Sequence, residues 1–492
     1  MLTKVDPDET QSFLSDASYI RDGQAQEVVL PATIDEVIEV LASANRDRKS
    51  LTVSGAGTGT VGGRVPFGGI LLATHKLNRI VSIEERNAVV EAGVVLSDLQ
   101  QALNQRSLLY PPDPTERGCF IGGNVATNAS GARTFKYGPT RRYVTRLKVV
   151  LADGDVLDLR RGELHAQGRH LRIPLQSGKV IETDLPTYEL PHVRKNASGY
   201  FVAPDMDLID LFIGSEGTLG VVVEVEVRLL PKPEGLLSGV VFFASEADVL
   251  GFVSATRERS LANREKGSGV DARALEFFDS ESLGFLRQKY PNIPEQAIAA
   301  VFFEQETNSV TEEQLLTDYL MLVDEYHGLA DSWFATNEQD QSKLREFRHQ
   351  LPVLMNEWFA KYQQRKVSTD MCVPDESFGG MFSLYKETLR ESGLHYTIFG
   401  HIGDNHVHVN ILPRNDDEGV RARELYVKFL KHAAAVGGTL SAEHGVGKLK
   451  RDYLKLFYSE HHLREMAALK IAFDPHCILG RGNIFSEELL KG

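Results

Sequence analysis

Cysteine is nearly absent. The 492-residue chain has three, Cys119, Cys372 and Cys477, and none of them belongs to a CxxC pair. That excludes a cysteine-ligated zinc finger or Fe–S cluster. An odd, sparse count suits a reducing compartment better than a disulfide scaffold. Long apolar runs are missing as well: no stretch nears the ~18 consecutive apolar residues of a spanning helix. The opening "MLTKVDPDETQSF" is polar and acidic, so no ordinary signal peptide is expected. The expected setting is the cytoplasm, either free or peripheral at the inner membrane surface. Positive charge is in deficit too. With 54 Lys and Arg against 68 Asp and Glu, the formal net charge is −14. No broad basic surface is left to neutralise phosphates, which argues against nucleic-acid binding. A local basic pocket for a small acid stays open. "TRRYVTR" (140–146) could form one, or could be a solvated face.

What is present is the composition of a soluble globular protein, 42% hydrophobic and 25% charged. At ~150 residues per domain, the length suggests two to three domains. "TIDEVIEVLASANR" (33–46) reads as a helix, with Thr33 as cap and apolar residues at 37, 40 and 41. "RRYVTRLKVVLADGDVLDLRRG" (141–162) reads as a hairpin turning at Asp153-Gly154. Residues 163–196 are polar and are expected to be irregular. A long alternating strand within 210–235 closes on Pro-Lys-Pro, a domain boundary. From about 236, strands such as "AIAAVFFEQETNS" alternate with helical stretches, the pattern of a smaller α+β unit. The last seventy residues look largely helical. The fold class expected is α+β, with a first domain over 1–235, a second over 236–455 and a C-terminal segment, 456–492, returning to the first.

"SGAGTGTVGG" (54–63) puts five glycines in ten residues. Glycine permits positive φ and close backbone approach, so successive N–H groups can converge on an anion such as a diphosphate. A tight turn is the plain alternative. Gly57–Gly62 formally matches GxGxxG, but Gly63, Pro66, Gly68 and Gly69 break any following helix. No acidic residue lies between 64 and 83 either. A Rossmann site is excluded by that context, and a Walker loop by the missing Gly-Lys-Ser/Thr. "CFIGGNVATNASGARTFKYGPTRRYV" (119–144) and "GSEGTLGVVVEV" (214–225) are two further glycine-rich segments suited to line a ligand with backbone groups.

"FGHIGDNHVHVN" (399–410) gathers three of the chain's fifteen histidines. His401 and His408 are seven apart and would face opposite sides of one straight strand. Gly403-Asp404-Asn405 is a turn-forming triplet. With a turn there, "YTIFGH" ends one strand, "VHVNILP" starts the next, and the two histidines can share a side. His406 has the parity of His408 and is a candidate extra ligand.

Three stretches, 51–80, 111–160 and 210–232, resemble the flavin-binding domain of the vanillyl-alcohol-oxidase, or PCMH-type, superfamily. Within it the chain looks like the FAD-linked D-2-hydroxyacid dehydrogenase branch. That branch holds D-lactate dehydrogenase, the glycolate oxidase catalytic subunit and D-2-hydroxyglutarate dehydrogenase. The resemblance runs from about residue 25 to 487. It implies a PCMH-type FAD-binding domain, a smaller α+β substrate or cap domain with an antiparallel sheet and helices, and a C-terminal helical segment. By resemblance, Gly55, Ala56, Gly57, Thr58 and Gly59 surround the FAD diphosphate. Gly122, Gly123, Asn124, Thr127 and Asn128 flank the flavin, and Gly217 and Gly220 lie near the adenine end. The first loop has no His or Cys, which implies non-covalent FAD. Two positions depart from the family: Ser54 stands where Arg is frequent, and Gly480-Arg481-Gly482-Asn483 replaces Asn-Pro-Gly-Lys.

The family's metal motif, His-x-Gly-Asp-Gly-Asn-x-His, resembles His401–His408, with Asn405 and His406 as departures. The resemblance implies His401, His408 and Glu443 as ligands of a divalent metal, zinc first, with iron or manganese as alternatives. It implies His444 as the base. A bound metal lowers the pKa of the substrate hydroxyl, His444 takes the proton, and hydride passes to the flavin. Arg348 in "EFRHQLP" is expected on the substrate carboxylate, with Asn410 and Lys366 as further substrate contacts. Pro352 stands where the 2-hydroxyglutarate enzymes have Thr, which favours a D-lactate-like acid. The electron acceptor would be a quinone, a cytochrome or an electron-transfer flavoprotein, and a homodimer is expected. The alternatives are a flavin transferase like alkylglycerone-phosphate synthase and a non-catalytic flavin-binding subunit.

Overall fold

The computed structural model describes residues 1–490. The first half is built on two sheets. Glu27–Leu30, Ile70–Ala73 and Leu51–Ser54 pair in parallel, with Leu2–Lys4 antiparallel at the edge. The second sheet is five-stranded and antiparallel, ordered Ile80–Ile83, Asn87–Glu91, Val221–Arg228, Val144–Val150, Val156–Arg160. The Asp153-Gly154 hairpin is present as expected. Helix Ile34–Arg46 starts where the sequence indicates, with the Thr33 hydroxyl accepting from Glu36 N at 3.2 Å. Its buried Val37, Val40, Leu41 and Ala44 follow helical spacing and pack on Val29, Leu72 and Val221.

Residues 163–196 are more ordered than their polarity suggests. His170–Pro174 and Val180–Asp184 form a hairpin. Leu171 and Ile173 alternate inward from its first strand, and Gly178 takes φ +87° at the turn. The alternation was in the sequence, but its outward half is charged and masks it.

Gly235 opens a seven-stranded antiparallel sheet. Its order is Trp333–Ala335, Gly235–Phe243, Ala299–Thr307, Ala272–Phe278, Tyr396–Gly400, His408–Ile411, Val367–Ser368. Both faces are covered, so its central strands read as continuous apolar runs instead of alternating. Val240 and Phe242 meet helix Glu338–Tyr362 through Phe347 and Leu351, while Val241 and Phe243 face the opposite core. Each fully buried aromatic contributes about 1.5–3 kcal/mol. The chain's end returns to the first sheet, where Leu51 N donates to Ile478 O at 2.7 Å. Among the described residues, no helix is long and apolar enough to cross a membrane.

Candidate active site

A deep cleft runs through the first half of the chain and ends at the seven-stranded sheet. It encloses about 1530 Å³ of empty space, counting its open mouth. Its walls include Gly55, Ala56, Gly57, Thr58, Gly59, Gly122, Gly123, Asn124, Thr127, Gly217 and Gly220. Of the twelve residues expected around the cofactor, only Asn128 is absent from the walls. It is buried, with φ +48°, and ends helix Ile121–Thr127, and its side-chain oxygen accepts from Arg141 N at 3.0 Å. Glu443 and His444 close the far end of the same cleft.

The cleft suits a large polar cofactor. Asn124 Nδ2 is a buried donor with no protein partner. Gly59 and Gly123 have open space where a Cβ would stand, so a ligand can lie against their backbone. Gly447 shows how tightly the two halves meet there. It has φ +53°, and a Cβ would lie 2.2 Å from Val61 O in the glycine-rich loop.

The histidine stretch folds as the turn triplet dictates. Tyr396–Gly400 and His408–Ile411 are antiparallel, joined through the turn Ile402–Asp404, with Asn405 at φ +55°. The turn puts both outer histidines on one carboxylate. His401 Nε2 and His408 Nε2 each lie 3.2 Å from Glu443 Oε1. Glu443 reaches this point because its loop is pinned to the strand end at Asp370: Ala442 N donates to Asp370 O, and Glu443 N to Asp370 Oδ1.

The other ring nitrogens fix the tautomers. His408 Nδ1 lies 3.0 Å from Thr369 O. A carbonyl can only accept, so that nitrogen carries a proton, and Nε2 is the ring atom turned toward Glu443. His401 Nδ1 lies 2.6 Å from Glu276 Oε1. Burial alone would lower the His401 pKa, but Glu276 and Glu443 outweigh it and lift it to about 9. Burial would likewise raise Glu443, yet His401 and Lys195 hold it well below the carboxylate range. The cluster as a whole therefore favours bound positive charge. His401, His408 and Glu443 offer two nitrogens and one oxygen that could hold a divalent ion, with His406 also within reach.

His444 stacks on His408 with ring centroids 5.3 Å apart. Its Nδ1 lies 3.3 Å from Asp370 Oδ2, which leaves Nε2 toward the cleft, 3.7 Å from Glu443 Oε1. Burial pushes its pKa down to about 4 against the opposing pull of Asp370, so the ring is neutral near pH 7 and able to accept a proton. Asp370 is fully enclosed and also receives Lys450 Nζ at 2.6 Å. His406 has no exposure, and its Nε2 lies 3.1 Å from Asp370 Oδ1. Burial pushes it to about 3, with His408 adding to the fall.

The expected substrate contacts are placed unequally. Asn410 is buried one strand step from His408, on the same face. Lys366 is exposed and precedes the edge strand Val367–Ser368, which pairs with Asn410 and Ile411. Arg348 grips Glu276 Oε2 through Nε at 3.1 Å and Nη2 at 2.8 Å, so it stands directly behind His401. Four buried groups of the site gave no signal in the sequence. Glu276 and Asp370 orient the histidines. Lys195 and Ser130 hold Glu443 Oε2 at 3.3 and 3.1 Å. Each is a lone residue within its segment, and no local pattern marks it.

Known proteins share this architecture. The C-terminal domain of FAD linked oxidases matches residues 238–484, and an FAD binding domain matches residues 25–160. The chain is 30% identical to glycolate oxidase subunit GlcD of Bacillus subtilis, covering 94% of this chain and 90% of that one. It is also 30% identical to D-lactate dehydrogenase of Anaerostipes hadrus, covering 96% and 92%. Identity is again 30% to D-2-hydroxyglutarate dehydrogenase of Stutzerimonas stutzeri, over 93% and 90%. Among solved structures, an alkyldihydroxyacetonephosphate synthase superposes with TM-score 0.67 at 15% identity, covering 97% of this chain and 81% of that one; it shares the fold. Matched over both halves, the chain belongs to the FAD-linked oxidase family and is an FAD-dependent oxidoreductase.

Proposed function

We propose that the protein oxidises a small D-2-hydroxyacid, D-lactate or a close analogue, to the 2-oxoacid with the help of a divalent metal. Three relatives named for glycolate, D-lactate and D-2-hydroxyglutarate support the substrate class. One observation carries the metal: two histidine Nε2 atoms meet a single carboxylate oxygen at 3.2 Å, while their Nδ1 atoms are held elsewhere.

Bound FAD would supply the acceptor for the substrate's hydride, and the second electron acceptor would be a quinone, a cytochrome or an electron-transfer flavoprotein. His401, His408 and Glu443 would hold a divalent ion, zinc the first choice, which would supply Lewis acidity toward the substrate hydroxyl. The remaining work belongs to the chain. His444 Nε2 takes the hydroxyl proton, and Asp370 stabilises the imidazolium that forms by facing Nδ1. Asn410 faces the substrate from the His408 strand. Glu276 and Arg348 keep His401 turned toward Glu443. The transferase alternative retains only the fold likeness, because a transfer without net oxidation gives no reason for this donor set.

His444→Ala is the test. Under anaerobic conditions it should slow substrate-driven flavin bleaching by about 10²–10⁴-fold and leave the flavin absorbance spectrum unchanged. Bleaching at the wild-type rate would remove His444 as the base. A panel of D- and L-2-hydroxyacids in the same assay identifies the substrate.

A further inference from the structure

Residues 12–20 precede the matched FAD binding domain, which begins at residue 25. In the structure they lie over the glycine-rich loop. Ala17 N donates to Gly57 O at 3.2 Å. Ile20 packs so closely on Gly62 that a Cβ there would stand 2.5 Å from its Cδ1. Phe13 meets His75 edge-on at 5.3 Å, and His75 meets Phe120 of the cleft wall at 4.9 Å. Asp16 also lines the cleft, and its Oδ2 is buried with no protein partner.

Arg64 ties this segment down. Its Nε donates to Ser15 O at 2.9 Å and its Nη2 to Ser12 O at 2.8 Å. Its Nη1 reaches Gly55 O at 3.0 Å and Ser54 Oγ at 3.1 Å. The guanidinium occupies the space a Cβ at Gly57 would need, 2.4 Å from Cζ, and Gly57 has φ +85°. All of these acceptors are neutral oxygens. Asp16 acts on the charge through space, and burial lowers the Arg64 pKa. Nη2 also reaches Ser15 O, so every N–H is held by a neutral oxygen and what is left on the cleft wall is a positive charge with no carboxylate in contact to balance it.

We propose that Ser12–Ile20 is a strap over the diphosphate end of FAD, locked by Arg64, whose guanidinium is the positive charge set against the diphosphate. The proposal rests on the cleft being the FAD site. The strap contributes shape, the Asp16 acceptor for a cofactor hydroxyl, and a cover that excludes water. Arg64 contributes charge and holds the strap and the glycine loop together.

The test is FAD binding by the apoprotein, followed by flavin fluorescence, in wild type, Arg64→Met and Arg64→Lys. Arg64→Met should raise Kd at least tenfold and flatten its dependence on salt, because a screened charge pair is lost. Arg64→Lys should recover part of the affinity and most of the salt dependence, since it keeps the charge and loses the fork. If Arg64→Met fails to fold, Arg64→Lys and Arg64→Gln make the same comparison. Wild-type Kd in Arg64→Met overturns the proposal. So does a raised Kd with unchanged salt dependence and no recovery by Lys, which would mark a purely structural residue. Wild-type protein that binds no FAD would instead sink the FAD reading of the cleft.

Discussion

The glycine-lined cleft and the histidine cluster meet at Glu443 and His444, yet they are built in opposite ways. The cleft is made of backbone. Its walls are runs of glycine and small residues, contiguous in sequence, and their worth lies in what they lack. The cluster is made of side chains from five separate segments: Glu276, Asp370, His401 with His408, Glu443 with His444, and Arg348. Most of its polar atoms are enclosed and face a charged or polar partner, and His444 is the member partly open to the cleft. A backbone-built site tolerates changes of neighbour and fails when a Cβ is added. A side-chain-built site tolerates no change in the identity of its buried charges, because each is balanced by another.

Three substitutions sharpen this contrast, beginning with the largest effect. Glu443→Gln removes the charge shared by both histidines. Metal content should fall from stoichiometric to near zero, and anaerobic bleaching should slow by about 10³-fold or more. FAD uptake should be unchanged, and full metal retention would refute Glu443 as a ligand. Gly447→Ala strikes the junction of the two regions, where the new Cβ would meet Val61 O. It should depress FAD occupancy and metal content together, at a cost of about 1–3 kcal/mol in backbone strain alone. Loss of only one would show that the regions are independent at that point. Glu276→Gln keeps the shape behind His401 but drops the charge that orients it. Metal affinity should weaken about 10–100-fold, read by titration with a chelator, while FAD binding stays at the wild-type value. An unchanged metal affinity would reduce the Glu276–Arg348 pair to a packing role.

Legibility in the sequence follows the same division. The glycine-rich loop and the Gly122–Asn124 segment were readable because a backbone site needs several special residues side by side. The turn at Gly403-Asp404-Asn405 was readable too, since parity forbids His401 and His408 from sharing a side without it. Other features were masked or had no local signal. The hairpin at 170–184 was hidden by its charged outward face. Arg348 was expected on the substrate carboxylate, and its guanidinium is held by Glu276 instead. Its engagement with Glu276 depends on a strand seventy-two residues away and has no trace in its own helix. His406 drew attention as one histidine of three, and in the fold it lies against Asp370 with its ring 4.5 Å from that of His408.

The sequence by itself determined the local geometry: where the chain must turn, where it can carry no side chain, which helix caps form, and that the protein is acidic and poor in cysteine. These properties depend on residues within a few positions of one another. Only the tertiary structure decided the electrostatics. It chose which carboxylate faces which histidine, which ring nitrogen keeps its proton, and where Arg64 places its charge. Those outcomes depend on distances of about 3 Å between residues tens to hundreds of positions apart, in an interior of low dielectric where such distances set the energy.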